Sequence, residues 1–273
     1  MAYRIGLPHY ANTAPLVRYL DPPPGVEILW GVPTELNRWL IEGMVDLSLV
    51  SSYFYLEQRS YLRALPDFSV AVLGHVYSVN LFHKKPWHEL RQIAITGESA
   101  TSVRLLEYLL QKTKTNTELI RLDVDLTALE NENLDGILLI GDRALTAYSR
   151  LLPELPKTVH GLEDSLGGIR VSDLAMLWFK QTQLPFVFAV WATRADEQPP
   201  CEIVELLRSA RRRGLGRLAE VANSESERLQ IAPRLLQHYL WNFRYHLEIP
   251  DRLGLAAFAQ AVGLPERDEY WSV

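Results

Sequence analysis

The sequence predicts a two-lobed α/β protein whose second lobe is inserted into the first and whose C-terminal segment is helical. Three observations point there. Short apolar runs alternate with helical segments in βαβαβ order from the first residues. That rhythm restarts after Lys84-Lys85-Pro86. A long aromatic-rich apolar strand, Pro185–Ala192, then returns. The βαβαβ order predicts a parallel sheet with right-handed crossovers. The departure and return divide the chain into 1–85 plus 185–273 for one lobe and 86–184 for the other. Such a layout leaves a cleft between the lobes and permits hinge closure on a ligand.

Each element has a local reason. Tyr3–Leu7 reads as a strand, followed by Asn12-Thr13 as caps for a short helix with Pro15 in its first turn, where a missing N–H costs nothing. Val26–Trp30 is the next strand. Pro33 opens a helix, Pro33–Glu42, with Leu36, Leu40 and Ile41 on one face, and Gly43 ends it. Asp46–Val50 is a strand that runs into Ser51-Ser52 and a short helix. Ser69–Gly74 and Tyr77–His83 are strand-like, and the apolar-rich pattern of the second suggests burial or a passage between two bodies. In the second lobe, strands over Arg91–Thr96, Thr117–Leu122 and Gly136–Ile140 alternate with helices over Ser102–Gln111, Leu126–Glu130 and a segment from Asp142. A strand over Lys157–His160 precedes a helix over Asp173–Thr182. Beyond Pro200 three helices are expected, over 201–223, 225–247 and 250–263, with apolar faces such as Ile203, Leu206, Leu207 and Leu235, Leu236, Leu240.

Composition narrows the function classes. The 28 Lys+Arg and 33 Asp+Glu of 273 residues leave a net charge of −5, against a nucleic-acid binder, which carries a basic face. The one basic cluster, Arg211-Arg212-Arg213, reads as the solvated side of a helix. A single cysteine, Cys201, excludes an intrachain disulfide and any multi-cysteine metal site. No histidine pair has ligand spacing, so no metal is expected. The N-terminus lacks the pattern of a secretory signal, and no run of about 18 apolar residues exists, so the expectation is a cytoplasmic chain with no membrane partner. Nothing in the sequence sets an oligomeric state.

Four stretches of small polar residues stand where a strand gives way to a helix: Asn12-Thr13, Ser51-Ser52, Ser99-Ala100-Thr101-Ser102 and Gly141-Asp142. Open α/β sheets bind ligands beyond the carboxyl ends of their strands, so these turns should face one crevice. Helix N-termini there favour carboxylates or phosphates. Taken singly each turn is also an ordinary N-cap; their recurrence is what favours an anionic small-molecule site. No Gly-x-Gly-x-x-Gly, P-loop or Gly-x-Ser-x-Gly elbow is present, so no nucleotide cofactor and no serine-hydrolase site are expected. His9 and His75 lie beside the crevice turns as either general bases or packing residues. Trp178 and Trp191 lie in apolar runs and are expected in the core.

Ordered motifs along nearly the whole chain carry a resemblance. Arg4-Ile5-Gly6 with Tyr10-Ala11-Asn12-Thr13-Ala14-Pro15-Leu16, Asp46-Leu47-Ser48 with Ser51-Ser52, Ser78-Val79-Asn80-Leu81-Phe82, Ser99-Ala100-Thr101-Ser102, Leu138-Leu139-Ile140-Gly141-Asp142-Arg143, Leu184-Pro185-Phe186-Val187-Phe188 and Asn242-Phe243-Arg244-Tyr245 together resemble the chorismate dehydratase family of the futalosine route to menaquinone. The resemblance implies a fold like that of type II periplasmic solute-binding proteins, working without metal or organic cofactor. It implies removal of water from chorismate to give 3-[(1-carboxyvinyl)oxy]benzoate. Asn12 and Ser78 are then expected at the reacting ring, with Ser51, Ser52, Ser99, Thr101, Ser102 and Asp142 as substrate binders. The proton acceptor is either the substrate's own enolpyruvyl carboxylate or a protein base such as His9. Two departures are present: Phe54, where the family often carries an acidic residue, and His9, where a small residue is common. Two further readings stand behind the first. The sister enzyme of the same route makes 1,4-dihydroxy-6-naphthoate and relies on a second-lobe histidine, for which His160 is the candidate. The other is a non-catalytic binding protein for a small anion.

Overall fold

The computed structural model describes residues 2–97, 99–113, 115–131, 133–151, 164–166 and 168–265. The chain opens with β1 (Tyr3–Leu7), a 3-10 turn at Ala11–Thr13 and α1 (Ala14–Val17), then β2 (Val26–Trp30), α2 (Pro33–Ile41), β3 (Leu47–Ser51), α3 (Ser52–Glu57) and β4 (Leu62–Val72). The second lobe contributes β5 (Val79–His83), β6 (Gln92–Ile95), α4 (Ala100–Thr113), β7 (Glu118–Arg121), α5 (Ala128–Asn131), β8 (Gly136–Ile140), α6 (Gly141–Leu151), β9 (Asp164–Leu166), β10 (Ile169–Asp173) and α7 (Leu174–Thr182). The chain then returns with β11 (Phe186–Arg194), α8 (Cys201–Gly216), α9 (Leu218–Leu229), α10 (Pro233–Trp241), β12 (Phe243–Arg244) and α11 (Ile249–Ala261).

These strands form two six-stranded sheets, ordered β12-β4-β11-β3-β1-β2 and β7-β6-β8-β5-β10-β9. Every residue of β3 and of β8 is buried, which a strand covered on both faces requires. β1 pairs parallel with β2 and β3, as the βαβαβ order predicts. The return strand β11 lies antiparallel between β3 and β4. Trp178 and Trp191 are both in the core, as expected.

Several boundaries differ from the sequence reading. β5 hydrogen-bonds to β8 and β10, so the first passage between sheets falls at 73–78, not at residue 85. β4 begins at Leu62, ahead of the expected Ser69, and runs through Pro66. The register slips across Pro66, from Ser69↔Val190 to Ala64↔Ala192, and β12 covers only Ala71 and Val72 on the other side, so the missing N–H breaks no ladder bond. β9 and β10 were not expected. The helix expected from Asp173 starts at Leu174, with Asp173 as its cap. The helix expected over 225–247 is broken: Gln230 takes a left-handed conformation, Pro233 starts a new helix, and Phe243–Arg244 pair with β4. The expected strand over Lys157–His160 lies outside the described residues. Among the described residues no helix is long and apolar enough to cross a membrane.

Arg211 also departs from expectation. Arg212 and Arg213 are exposed, but Arg211 is only 5% exposed, donates to the Tyr245 carbonyl at 3.1 Å and to Asp67 Oδ2 at 2.7 Å, and stacks on Phe68. A run of like charges on a helix cannot all face one way, and this one turns its first member into the core.

One carboxylate ties the outgoing passage between the sheets to the cap of α7. Asp173 Oδ2 accepts from the backbone N–H groups of Val76 and Tyr77 at 2.8 Å each, while Oδ1 accepts from Met176 N at 3.1 Å. The outgoing segment is thereby tied to the start of α7. Tyr77 there has φ +58°, a left-handed conformation that a non-glycine residue adopts at a cost.

Candidate active site

Between the sheets lies a cleft of about 590 Å³ of empty space, its open mouth included. Three of the four expected strand-to-helix turns bring a named side chain to it: Asn12 and Thr13, Ser51, and Ser99 with Ser102; the fourth contributes Gly141. Apolar walls come from Leu49, Val70, Val76, Val79, Ile140 and Phe188. Ser78, on the outgoing segment, and Tyr10 line it too. No carboxylate, imidazole, ammonium, guanidinium or thiol lines the cleft among the described residues.

The polar groups are held from behind. Ser78 is only 1% exposed, and its Oγ accepts a hydrogen bond from the Tyr239 hydroxyl at 3.0 Å. Ser51 Oγ accepts from Asn37 Nδ2 at 3.3 Å, and the Ser51 N–H donates to Asn37 Oδ1 at 3.4 Å. The hydroxyls of Ser99 and Ser102 bond each other at 3.2 Å, and Ser102 N donates to Ser99 Oγ at 3.3 Å, capping α4. The Asn12 carbonyl oxygen of the main chain accepts from the Tyr245 hydroxyl at 2.9 Å. Its side-chain Oδ1 is buried and has no hydrogen-bond partner. An unmet buried acceptor costs about 1–3 kcal/mol; of the three buried side-chain atoms left without a partner among the described residues, this one belongs to a residue that lines the cleft.

Three expected site residues do not line the cleft. Ser52 and Thr101 are both buried and face each other across the lobes, their hydroxyls 3.4 Å apart, and Thr101 Oγ1 also accepts from Tyr53 N at 2.9 Å. Asp142 has both oxygens occupied by the first lobe: Oδ1 accepts from Ala11 N at 2.9 Å and Oδ2 from Arg228 Nη2 at 2.7 Å. These residues clasp the lobes together on either side of the cleft. A carboxylate projecting into it would instead repel an anion.

The histidines lie apart as well. His9 is exposed with its ring edge-on to Trp30, and lines no part of the cleft. His75 stacks on Tyr77, with Nδ1 3.6 Å from Asp173 Oδ2. His238 Nε2 sits 3.0 Å from the Tyr77 hydroxyl; burial, and then the nearby His75, push its pKa down. His160 lies outside the described residues. Sequence reasoning missed Asn37, Tyr239 and Tyr245. The last two come from the segment expected as one helix, where the structure has α10 and β12; Tyr245 belongs to the Asn242-Phe243-Arg244-Tyr245 motif.

Two six-stranded lobes linked by two passages, with strand-to-helix turns meeting at a central cleft, define a periplasmic-binding-protein-like fold. Solved structures agree: protein AF1704 from Archaeoglobus fulgidus superposes with a TM-score of 0.68 at 17% identity, covering 94% of this chain and 95% of that one. The periplasmic aliphatic sulphonate binding protein SsuA from Escherichia coli superposes with a TM-score of 0.62 at 15% identity, covering 96% and 85%. Residues 3–263 match the menaquinone biosynthesis family, and the chain belongs to it. A relative from Thermus thermophilus, the chorismate dehydratase, is 58% identical over 263 residues, 96% of each chain.

Proposed function

We propose that the chain eliminates water from chorismate to give 3-[(1-carboxyvinyl)oxy]benzoate. The observation that carries this reading is the 58% identity to a chorismate dehydratase over 96% of both chains. The cleft supports it chemically. The reaction breaks the C3–H and C4–O bonds; the C3–H pair becomes the C3=C4 π bond, the C4–O pair leaves with oxygen, and the ring becomes aromatic. The ring carboxylate is conjugated with C3 through a double bond, and aromatisation supplies the driving force. The protein's task is to hold one conformation and favour departure of the hydroxyl.

Asn12 and Ser78 suit that hydroxyl. Asn12 Oδ1 is an acceptor without a donor, and the Ser78 hydroxyl, accepting from Tyr239, still has its own proton to give. The C4 hydroxyl of chorismate donates to the first and accepts from the second. Ser51, Ser99 and Ser102, with the N-terminal end of α4, receive the carboxylates. With no ionisable base of neutral-pH strength lining the cleft and His9 outside it, the enolpyruvyl carboxylate takes the C3 proton and passes it to the departing oxygen, so that water leaves. Ser52, Thr101 and Asp142 serve as clasps rather than as ligand contacts.

The test is to incubate purified protein with chorismate, chelator present, and separate the products by chromatography with ultraviolet detection. An aromatic enolpyruvyl benzoate formed in proportion to protein is expected. Chorismate recovered intact from a folded sample would overturn the reading, and intact chorismate retained by the protein would make it a binding protein.

A further inference from the structure

We infer that Tyr239 is a positioning residue for the reaction, acting through Ser78: it fixes the Ser78 hydroxyl as a hydrogen-bond donor toward the cleft. This deepens the dehydration proposed above and rests on it. A serine hydroxyl rotates freely and can either give or take a hydrogen bond. Ser78 is denied that choice. The Tyr239 hydroxyl donates to its Oγ at 3.0 Å, and the Ser78 proton finds no acceptor among the described residues. The one direction left for that proton is the cleft, which Ser78 lines.

Tyr239 is itself fully buried, its ring edge-on to Phe243 at 5.1 Å, so it has no room to turn away. Burial raises its pKa far above the ordinary phenol value, so the hydroxyl keeps the proton it donates to Ser78. The same C-terminal segment repeats the device four residues past α10. Tyr245, buried and also held protonated by burial, donates to the main-chain carbonyl of Asn12 at 2.9 Å. The two cleft residues assigned to the leaving hydroxyl are thus each braced by a tyrosine from outside both βα halves of the fold.

A double-mutant cycle on the full chain tests this, with chorismate turnover as the readout. Ser78→Ala should lower kcat by about 100-fold, the typical cost of losing one donor to developing negative charge. Tyr239→Phe should lower kcat by about 10-fold, with KM and the unfolding temperature nearly unchanged. In the Ser78→Ala background, Tyr239→Phe should cost nothing further. Full kcat in Tyr239→Phe, or losses that multiply in the double variant, would overturn the inference while wild-type turnover left the dehydration standing; chorismate untouched by wild type overturns both. If Tyr239→Phe does not fold, 3-fluorotyrosine at 239 keeps the native shape with a stronger donor. The kcat must then change at constant KM, and an unchanged kcat overturns the assignment.

Discussion

At the scale of single residues, the cleft presents polar atoms whose hydrogen-bonding capacity the protein leaves partly unfilled. Asn12 Oδ1 has no partner, and Ser78 has its acceptor lone pair engaged but not its proton. Asn12→Ala removes an acceptor from a site that already lacks a donor for it, so folding should be unharmed and even slightly favoured, while kcat falls by about 100-fold. Steady-state kinetics alongside thermal unfolding check both halves of that expectation; an Asn12→Ala chain with full turnover would remove Asn12 from the mechanism. Asn12, Ser51, Ser99 and Ser102 were legible as cleft-lining candidates because small polar residues after apolar runs mark strand ends, whereas Ser78, which precedes its strand, was legible only through the family resemblance. Ser52, Thr101 and Asp142 stand in the same turns, but which residue of a turn faces the cleft is decided by packing between the lobes, which local sequence does not carry. Asn37, Tyr239 and Tyr245 carry no such local mark. Their partners are 14, 161 and 233 positions away in sequence.

At the scale of elements, close approach of backbones fixes the C-terminal helices against the first lobe. A Cβ on Gly214 in α8 would stand 1.9 Å from the Pro15 carbonyl oxygen, and one on Gly254 in α11 would stand 2.0 Å from that of Pro185. No flexible side chain is there to yield. Gly214→Ala should destabilise the protein by about 3 kcal/mol, at the upper end of overpacking costs, despite alanine's better helix propensity; chemical denaturation measures it. His238 on α10 sets an acid limit. Its folded pKa is lowered, first by burial and then by His75, so the stability it contributes is present above the unfolded value of 6.5 and is lost as pH falls through the lower folded one. The unfolding temperature should therefore drop below pH 6.5, and the drop should shrink in His238→Gln. Most elements were legible from periodicity and caps. The split of 225–247 was missed because its apolar faces continue across Gln230 and Pro233, and β10 because its pairing with β5 is a long-range choice.

At the scale of the whole molecule, the cleft is closed by two clasps of different character. On one side Asp142 meets Arg228 and the Ala11 N–H; on the other Thr101 meets Ser52 and Tyr53. The first is partly exposed and ionic, and pairs of that kind contribute about 1 kcal/mol or less. Arg228→Ala should accordingly raise KM for chorismate about fivefold and leave kcat within a factor of about two, while the unfolding temperature falls because Glu225, buried and paired to the same guanidinium, loses its partner. Small-angle scattering should show the variant more extended than wild type before substrate and equally compact with it. A variant as compact as wild type without substrate would mean that the ionic clasp does not hold the lobes. The two-lobed plan itself was readable from the restart and return of the βα rhythm. The passage at 73–78 was legible only in part: the sequence marks Tyr77–His83 as a buried strand or a crossing, and the apolar strand β5 fits either sheet by composition alone.

The position of β11 has a consequence for how the protein is made. It lies between β3 and β4, strands that leave the ribosome more than a hundred residues before it. Until synthesis passes Arg194, the first sheet has a gap at its centre and two unpaired edges facing it, while the second lobe already has all of its strands. The inserted lobe can therefore complete itself first, and the N-terminal half waits, open, for a strand that only the last third of translation delivers.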